Sequence, residues 1–170
     1  MSLFYQDSLM VLFDSNTTSK SSQEWIILND GVMGGVSSAD IEFNSDGNLK
    51  FSGTVRLENN GGFSSIQNRF TTTKVSSFSA VILKVKGDGK DYQFRVKSDL
   101  DQRFSYIQKF STNGEWQTIT LPFDQFYPVF RGYRLNQPNY DGKQMEQIAI
   151  LIGNKKKENF VLEISKIYLK

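Results

Sequence analysis

An all-β domain, either a sandwich or a barrel, is what this sequence predicts, and three observations carry the prediction. Short runs alternate apolar with polar residues, the signature of a half-buried antiparallel strand. Six Asx-Gly pairs punctuate the 170 residues: Asp30-Gly31, Asp46-Gly47, Asn60-Gly61, Asp88-Gly89, Asn113-Gly114 and Asp141-Gly142. Asn, Asp and Gly tolerate φ > 0, so such pairs favour tight hairpin turns. Finally, no stretch of helical length shows a 3.6-residue apolar period.

Taken in order, the strands read as follows. Ser8 to Phe13, Trp25 to Leu28 and Ser37 to Phe43 are short apolar or alternating runs. Leu49, Phe51, Gly53, Val55 and Leu57 then share one face, with Lys50, Ser52, Thr54 and Arg56 on the other. Gly62 to Asn68 follows, then Val81, Leu83 and Val85 opposing Lys84 and Lys86. Tyr92, Phe94 and Val96 oppose Gln93, Arg95 and Lys97. Phe104 to Phe110, Trp116 to Leu121, Gln147 to Ile152 and Phe160 to Leu169 complete the set. In the last, Ile164 and Ile167 both face inward only if a bulge lies between them. Phe123 to Phe126 is placed to form one helical turn after Pro122.

Two stretches lack strand logic. Residues 15–22 form a polar loop, and Pro122 to Tyr140 is a long aromatic loop that holds all three prolines. Connections of that length tend to be functional or to cover an open end of a core. The length of the chain fits one domain spanning residues 1–170.

Composition narrows the chemistry. There are 20 basic and 18 acidic residues, so no field favours nucleic acid or an anionic membrane. With no cysteine, disulfides and thiolate chemistry are excluded; with no histidine, the commonest general base and zinc ligand are missing. No apolar run reaches membrane-spanning length. A hydrolase would have to use carboxylates such as Asp30 and Asp40, which nothing in the sequence brings face to face. The glycines at 31, 34 and 35 miss the dinucleotide spacing, and Lys155 to Lys157 reads as a solvated hairpin tip. No Ca²⁺-loop pattern is present, so neither a cofactor nor a metal ligand is assigned.

The organising stretch is Trp25 followed by Asn29-Asp30-Gly31-Val32-Met33-Gly34-Gly35-Val36-Ser37, echoed by Asn60-Gly61-Gly62-Phe63-Ser64-Ser65. Gly34 and Gly35 are expected where a Cβ is disfavoured or another backbone presses close. Turns and bulges are the commoner use of such glycines. The candidate binding residues are Trp25, Asp30, Met33, Gly34, Gly35, Ser37, Gly62, Phe63 and Arg131. Tyr127, Phe130, Tyr133 and Tyr140 join Trp25, Met33 and Phe63 as loop residues able to stack on a sugar or anchor a protein. The competing reading is that Trp25, Met33 and Phe63 plug one end of the core. Arg131 is expected partly buried, its fork clamping the 122–140 loop to acceptors between Asp30 and Ser37.

These motifs, with Phe51-Ser52-Gly53, Tyr92-Gln93-Phe94-Arg95, Tyr106 to Phe110, Trp116, Leu121-Pro122-Phe123, Phe126, Phe130-Arg131-Gly132 and Phe160 to Ile164, resemble the complex I intermediate-associated protein 30 family from about Leu9 to Leu169. The resemblance implies a jelly-roll β-sandwich of galactose-binding-domain-like type. It also implies a role for the family's mitochondrial members in assembling respiratory complex I and, for this chain, a non-catalytic protein-binding module of the assembly-factor or chaperone kind. A carbohydrate-binding module is the alternative, since the same architecture often presents aromatics to sugars; a carboxylate hydrolase ranks third. The chain opens without the long N-terminal extension of a typical mitochondrial member. With no cysteine and no readable signal peptide, a cytoplasmic location is expected, or a mitochondrial one if a transit peptide has been removed.

Overall fold

The computed structural model describes residues 8–16 and 25–170. Thirteen strands are present among them: β1 Met10–Asp14, β2 Ile26–Asn29, β3 Ser38–Phe43, β4 Leu49–Val55, β5 Ser64–Lys74, β6 Ala80–Lys86, β7 Asp91–Lys97, β8 Ser105–Ser111, β9 Trp116–Pro122, β10 Tyr127–Phe130, β11 Tyr133–Arg134, β12 Gln144–Ile152 and β13 Glu158–Leu169. They form two antiparallel sheets. One runs β3-β4-β13-β6-β9 with β1 also paired to β13; the other runs β11-β10-β8-β7-β12-β5-β2. The chain passes repeatedly from one sheet to the other, which is how a jelly roll builds a closed core from local alternation.

Alternation decides what is inside. Tyr92, Phe94 and Val96 of β7 pack against Phe51, Phe160, Leu162 and Ile164 of the facing sheet, all essentially inaccessible. Phe51 meets Phe160 edge-on at 4.8 Å, and Phe94 meets Phe126 at 6.2 Å. Each such ring contributes about 2–3 kcal/mol through burial. The Tyr92 hydroxyl, carried inside with its ring, donates to Asp88 Oδ1 at 3.0 Å. The bulge required in the last strand is present: register shifts between Ile164 and Lys166, and Ile164 and Ile167 are both fully buried.

Turn chemistry is where the sequence reading needs correction. Only Asp46-Gly47 closes a hairpin between paired neighbours, β3 and β4. Asp30-Gly31, Asn60-Gly61, Asp88-Gly89 and Asn113-Gly114 lie where the chain crosses between sheets, and the Lys155–Lys157 run sits on another crossover, not on a hairpin tip. A left-handed turn residue serves a corner as well as a hairpin.

The 122–140 stretch is not a loop throughout. Phe123–Gln125 forms a 3₁₀ turn, and β10 and β11 form a tight edge hairpin. Its two-residue turn is Arg131-Gly132, with φ of 49° and 80°. Arg-Gly is not the Asx-Gly pair that signals a two-residue turn with both φ positive, so the hairpin escaped the pattern. Of residues 15–22, Ser15 is buried, with its amide donating to Ser165 O at 2.9 Å. Residues 17–22 lie outside the described residues.

Candidate functional site

Asp30 starts the 3₁₀ turn Asp30–Met33 directly after β2, and only 1% of it is exposed. Its carboxylate accepts from Ser37 N at 3.0 Å, Ser37 Oγ at 2.5 Å, Gly62 N at 2.7 Å and Phe63 N at 3.3 Å. Burial works to raise its pKa, but these four bonds outweigh it and hold the carboxyl below the usual range. The glycines around it are explained by space. A Cβ on Gly35 would lie 2.4 Å from Asp30 Cγ, and one on Gly61 would lie 2.5 Å from Oδ2. Gly34 caps the turn at φ 90°. Ser37 Oγ also accepts from Arg56 N at 2.9 Å. Asp30, Gly34, Gly35, Ser37, Gly62 and Phe63 therefore form one knot joining three chain segments, with the acid's oxygens facing inward.

The other candidates do not gather there. Trp25 is buried, 4% exposed, and packs edge-on against Phe13 at 5.7 Å. Tyr140 is buried among Tyr106, Phe123 and Phe126. Neither is a surface platform. Phe63 is half-buried, and the Met33 side chain lies outside what the structure describes. Of the loop aromatics only Tyr133 is widely open, at 77%.

The Arg131 clamp is overturned. Arg131 is exposed at the hairpin tip, its guanidinium 5.2 Å from the centroid of the Phe130 ring. It makes no hydrogen bond or ion pair among the described residues, and Asp30 is satisfied without it.

A surface that sequence reasoning missed lies on the outer face of the seven-stranded sheet. Strand registers place three rows of side chains there. The middle row is Ile26, Gln67, Ala149, Arg95, Ile107 and Tyr127. Leu151, Gln93 and Lys109 stand in one flanking row, and Arg69, Gln147, Lys97, Val129 and Arg134 in the other. Ile107, Ala149 and Leu151 are buried yet lie outside the core cluster, because polar stems on this face cover them. Arg95 donates to Gln93 Oε1 through Nε at 3.1 Å and Nη2 at 2.8 Å. Arg69 Nε donates to the buried Gln147 at 3.1 Å, and Lys97 Nζ donates to Gln102 O at 3.1 Å.

Every one of those acceptors is neutral. Burial pushes the Arg95 guanidinium down to about 10, with Tyr127 pulling weakly the other way. The Lys97 ammonium is lowered by burial and then by repulsion from Arg69 and Arg95. The three ion pairs found among the described residues, Lys50–Glu42, Arg56–Glu58 and Lys90–Asp88, leave this cluster out. The outer face of the opposite sheet is built differently: Glu42, Lys50, Glu163 and Lys86 alternate in sign across paired strands. Sequence alternation marked Gln93, Arg95 and Lys97 as outward-facing but gave no sign of who their neighbours were.

Beyond Gln93 and Lys109 the face continues into a pocket of about 420 Å³ lined also by Lys90, Lys155, Lys156 and Glu158. No group of three His, Cys, Asp or Glu able to hold a metal occurs among the described residues. Asp30 and Asp40 form no catalytic pair, since the first is buried in its knot and the second is exposed on β3. No helix among the described residues is long and apolar enough to cross a membrane.

Comparison with known proteins agrees with this architecture. A family 11 carbohydrate-binding module from Clostridium thermocellum, solved with a β-1,3-1,4-mixed-linked tetrasaccharide, superposes with a TM-score of 0.69 over 95% of this chain and 94% of that one, at 18% identity. A family 29 carbohydrate-binding module superposes at 0.54 and 11% identity, over 96% and 91% of the two chains. At such identities the likeness shows the fold. Sequence relatives say more. A Caenorhabditis elegans protein named as a probable mitochondrial complex I intermediate-associated protein 30 is 29% identical over 136 residues, 72% of this chain and 38% of its own length. An uncharacterised Schizosaccharomyces pombe protein is 29% identical over 152 residues, 76% of this chain and 68% of its own. The chain thus spans well under half of the nematode relative. The complex I intermediate-associated protein 30 profile matches residues 12–164, taking in the Asp30 knot and both sheets, and the chain belongs to that family.

Proposed function

We propose that this chain is a non-catalytic binding module that holds a protein partner during assembly of a larger complex. The observation that carries the reading is the use made of the family-marking motif. Its one buried acid, its hydroxyl and its glycines are consumed in fastening three segments, which yields a rigid platform and leaves no reactive group to do chemistry. Family membership points to assembly, and the nematode relatives' names favour a mitochondrial over a cytoplasmic setting. The test is native electrophoresis of host extract carrying the tagged chain, followed by mass spectrometry of the shifted species. Co-migration with a defined subcomplex supports the reading; a chain that runs as a monomer under mild detergent overturns it.

Carbohydrate binding is the second reading, favoured by the module-like fold and by Trp116. That ring is 47% exposed beside Lys84 and Thr118 in a pocket of about 450 Å³ on the six-stranded sheet. Titration with the mixed-linked tetrasaccharide, read by tryptophan fluorescence, discriminates: a saturable change lost in Trp116→Ala would favour the sugar, because Trp25 is buried.

A further inference from the structure

We propose that the outer face of the seven-stranded sheet is the docking surface, and that it takes an extended acidic segment of a protein partner. The proposal rests on the protein-binding reading above and names the site and chemistry it leaves open. Charge is the first argument. Lys97 stands close enough to Arg69 and Arg95 for their charges to disfavour its protonation, yet no carboxylate occupies the rows built on Gln93, Arg95 and Lys97. Two of the acids flanking these rows are already engaged, while Glu158, across the adjoining pocket, makes no hydrogen bond among the described residues. Asp91 accepts from Ser111 Oγ at 2.7 Å, and Glu146 accepts from Thr72 Oγ1 at 2.7 Å and Leu100 N at 3.0 Å. A partly buried guanidinium whose one partner is a neutral amide gains from an anion more than a solvated one does.

Geometry is the second argument. Arg95 and Lys97 sit two residues apart on β7, so their Cα atoms are roughly 6.6 Å apart at strand rise. An extended peptide repeats its side chains on one face with that same two-residue spacing. Carboxylates at alternate positions then meet Arg95 and Lys97, while the residues between them turn to solvent. Lys109 extends the cationic track beyond Gln93, toward a pocket where Lys155 and Lys156 stand with Asp91 and Glu158.

The scarcity of bare aromatic rings on this face favours a peptide over a sugar. Tyr127 is the one aromatic in these rows, and the Arg134 guanidinium already lies 4.4 Å from its ring centroid. Stacking against a sugar face would take a bare ring, and these rows present none. This face offers arginine, lysine, glutamine and aliphatics of which Ile26, at the β2 edge, stands open, a mix that suits carboxylates and an extended backbone.

The test uses the intact chain and calorimetric titration with a capped peptide of alternating Glu and Ser. Controls are the Lys-Ser peptide, a Glu peptide with three-residue spacing, and an oligogalacturonate of equal charge. The alternating acidic peptide should bind tightest, weaken as salt rises, and shift backbone amide resonances of β7, β8 and β12. Arg95→Gln and Lys97→Gln should each weaken it by at least about tenfold, whereas Lys84→Gln, on the opposite sheet, should leave it unchanged. If Arg95→Gln unfolds, Lys97→Gln and Arg134→Gln carry the test. Equal binding by Lys97→Gln, shifts confined elsewhere, or preference for the oligogalacturonate would overturn the proposal. In the native-electrophoresis assay, a Lys97→Gln/Arg134→Gln chain that still joins the subcomplex sinks this docking surface while sparing the assembly role. A wild-type chain that joins nothing sinks both.

Discussion

Replacing Asp30 with alanine tests whether the knot holds the glycine-rich segments together. The substitution deletes an acceptor serving the amides of Ser37, Gly62 and Phe63 and the Ser37 hydroxyl. Those amides belong to half-buried residues, so water can reach part of what the acid leaves behind. At about 1 kcal/mol for each orphaned amide, the loss is about 3 kcal/mol. With a urea m-value of about 2 kcal/mol/M, the denaturation midpoint should fall by about 1.5 M at constant m. Asp30→Asn keeps one acceptor oxygen and should fall between alanine and wild type. The pH dependence supplies an independent check. Folding lowers the Asp30 pKa, so its contribution is full above the unfolded value near 4 and drains away as pH falls through the folded value. Below that window Asp30→Asn and wild type should converge in stability. A loss under about 0.5 kcal/mol in Asp30→Ala at neutral pH would show that the loops hold their shape without the carboxylate.

Three other substitutions probe separate parts of the fold. Gly53→Ala places a Cβ 2.1 Å from the Ser38 backbone oxygen, so β3 must separate from β4; a stability loss of several kcal/mol or insoluble protein is expected, and a midpoint near wild type would refute it. Arg131→Ala removes a solvent-exposed side chain whose guanidinium lies over the Phe130 ring, so thermal unfolding should move by no more than about 0.5 kcal/mol; a larger loss would revive the clamp. Both Glu158 carboxylate oxygens are buried without a hydrogen-bond partner among the described residues, so Glu158→Gln should leave stability unchanged or raise it by about 1 kcal/mol. Calorimetry showing a clear loss would mean the charge has a partner in solution.

The strand inventory was legible because burial on one side writes itself as period two. The bulge near Ser165 was readable for the same reason, since two isoleucines three apart can share a face only if the register slips. What the pattern could not supply was pairing. An Asx-Gly turn looks the same whether the chain doubles back beside its neighbour or crosses to the other sheet. Four of the six pairs lie on crossovers, where the hairpin signal misled. The β10–β11 hairpin failed differently: proline and aromatic density suggested irregular chain, while the turn itself is the less conspicuous Arg131-Gly132.

The candidate residues divide along a similar line. Glycines next to a lone acid announced close packing, and Gly35 and Gly61 do crowd the Asp30 carboxylate. Conspicuous residues are, however, the ones a fold needs for its own tight places, so Trp25 and Asp30 turned inward. The cationic face is assembled from β5, β7, β8, β11 and β12, whose residues are far apart in the chain and individually ordinary for the polar side of a strand. Its unusual property is collective: cations brought side by side without the acids that balance Lys50 and Lys86 on the opposite sheet. Knot and face are joined through β2 and β5. The same strand that leaves the Gly62–Phe63 corner carries Gln67 and Arg69 onto the outer surface. Fixing that corner with two hydrogen bonds from its amides to Asp30 therefore helps fix the register of one side of the face, so a family motif with no exposed chemistry can still govern how the surface presents itself.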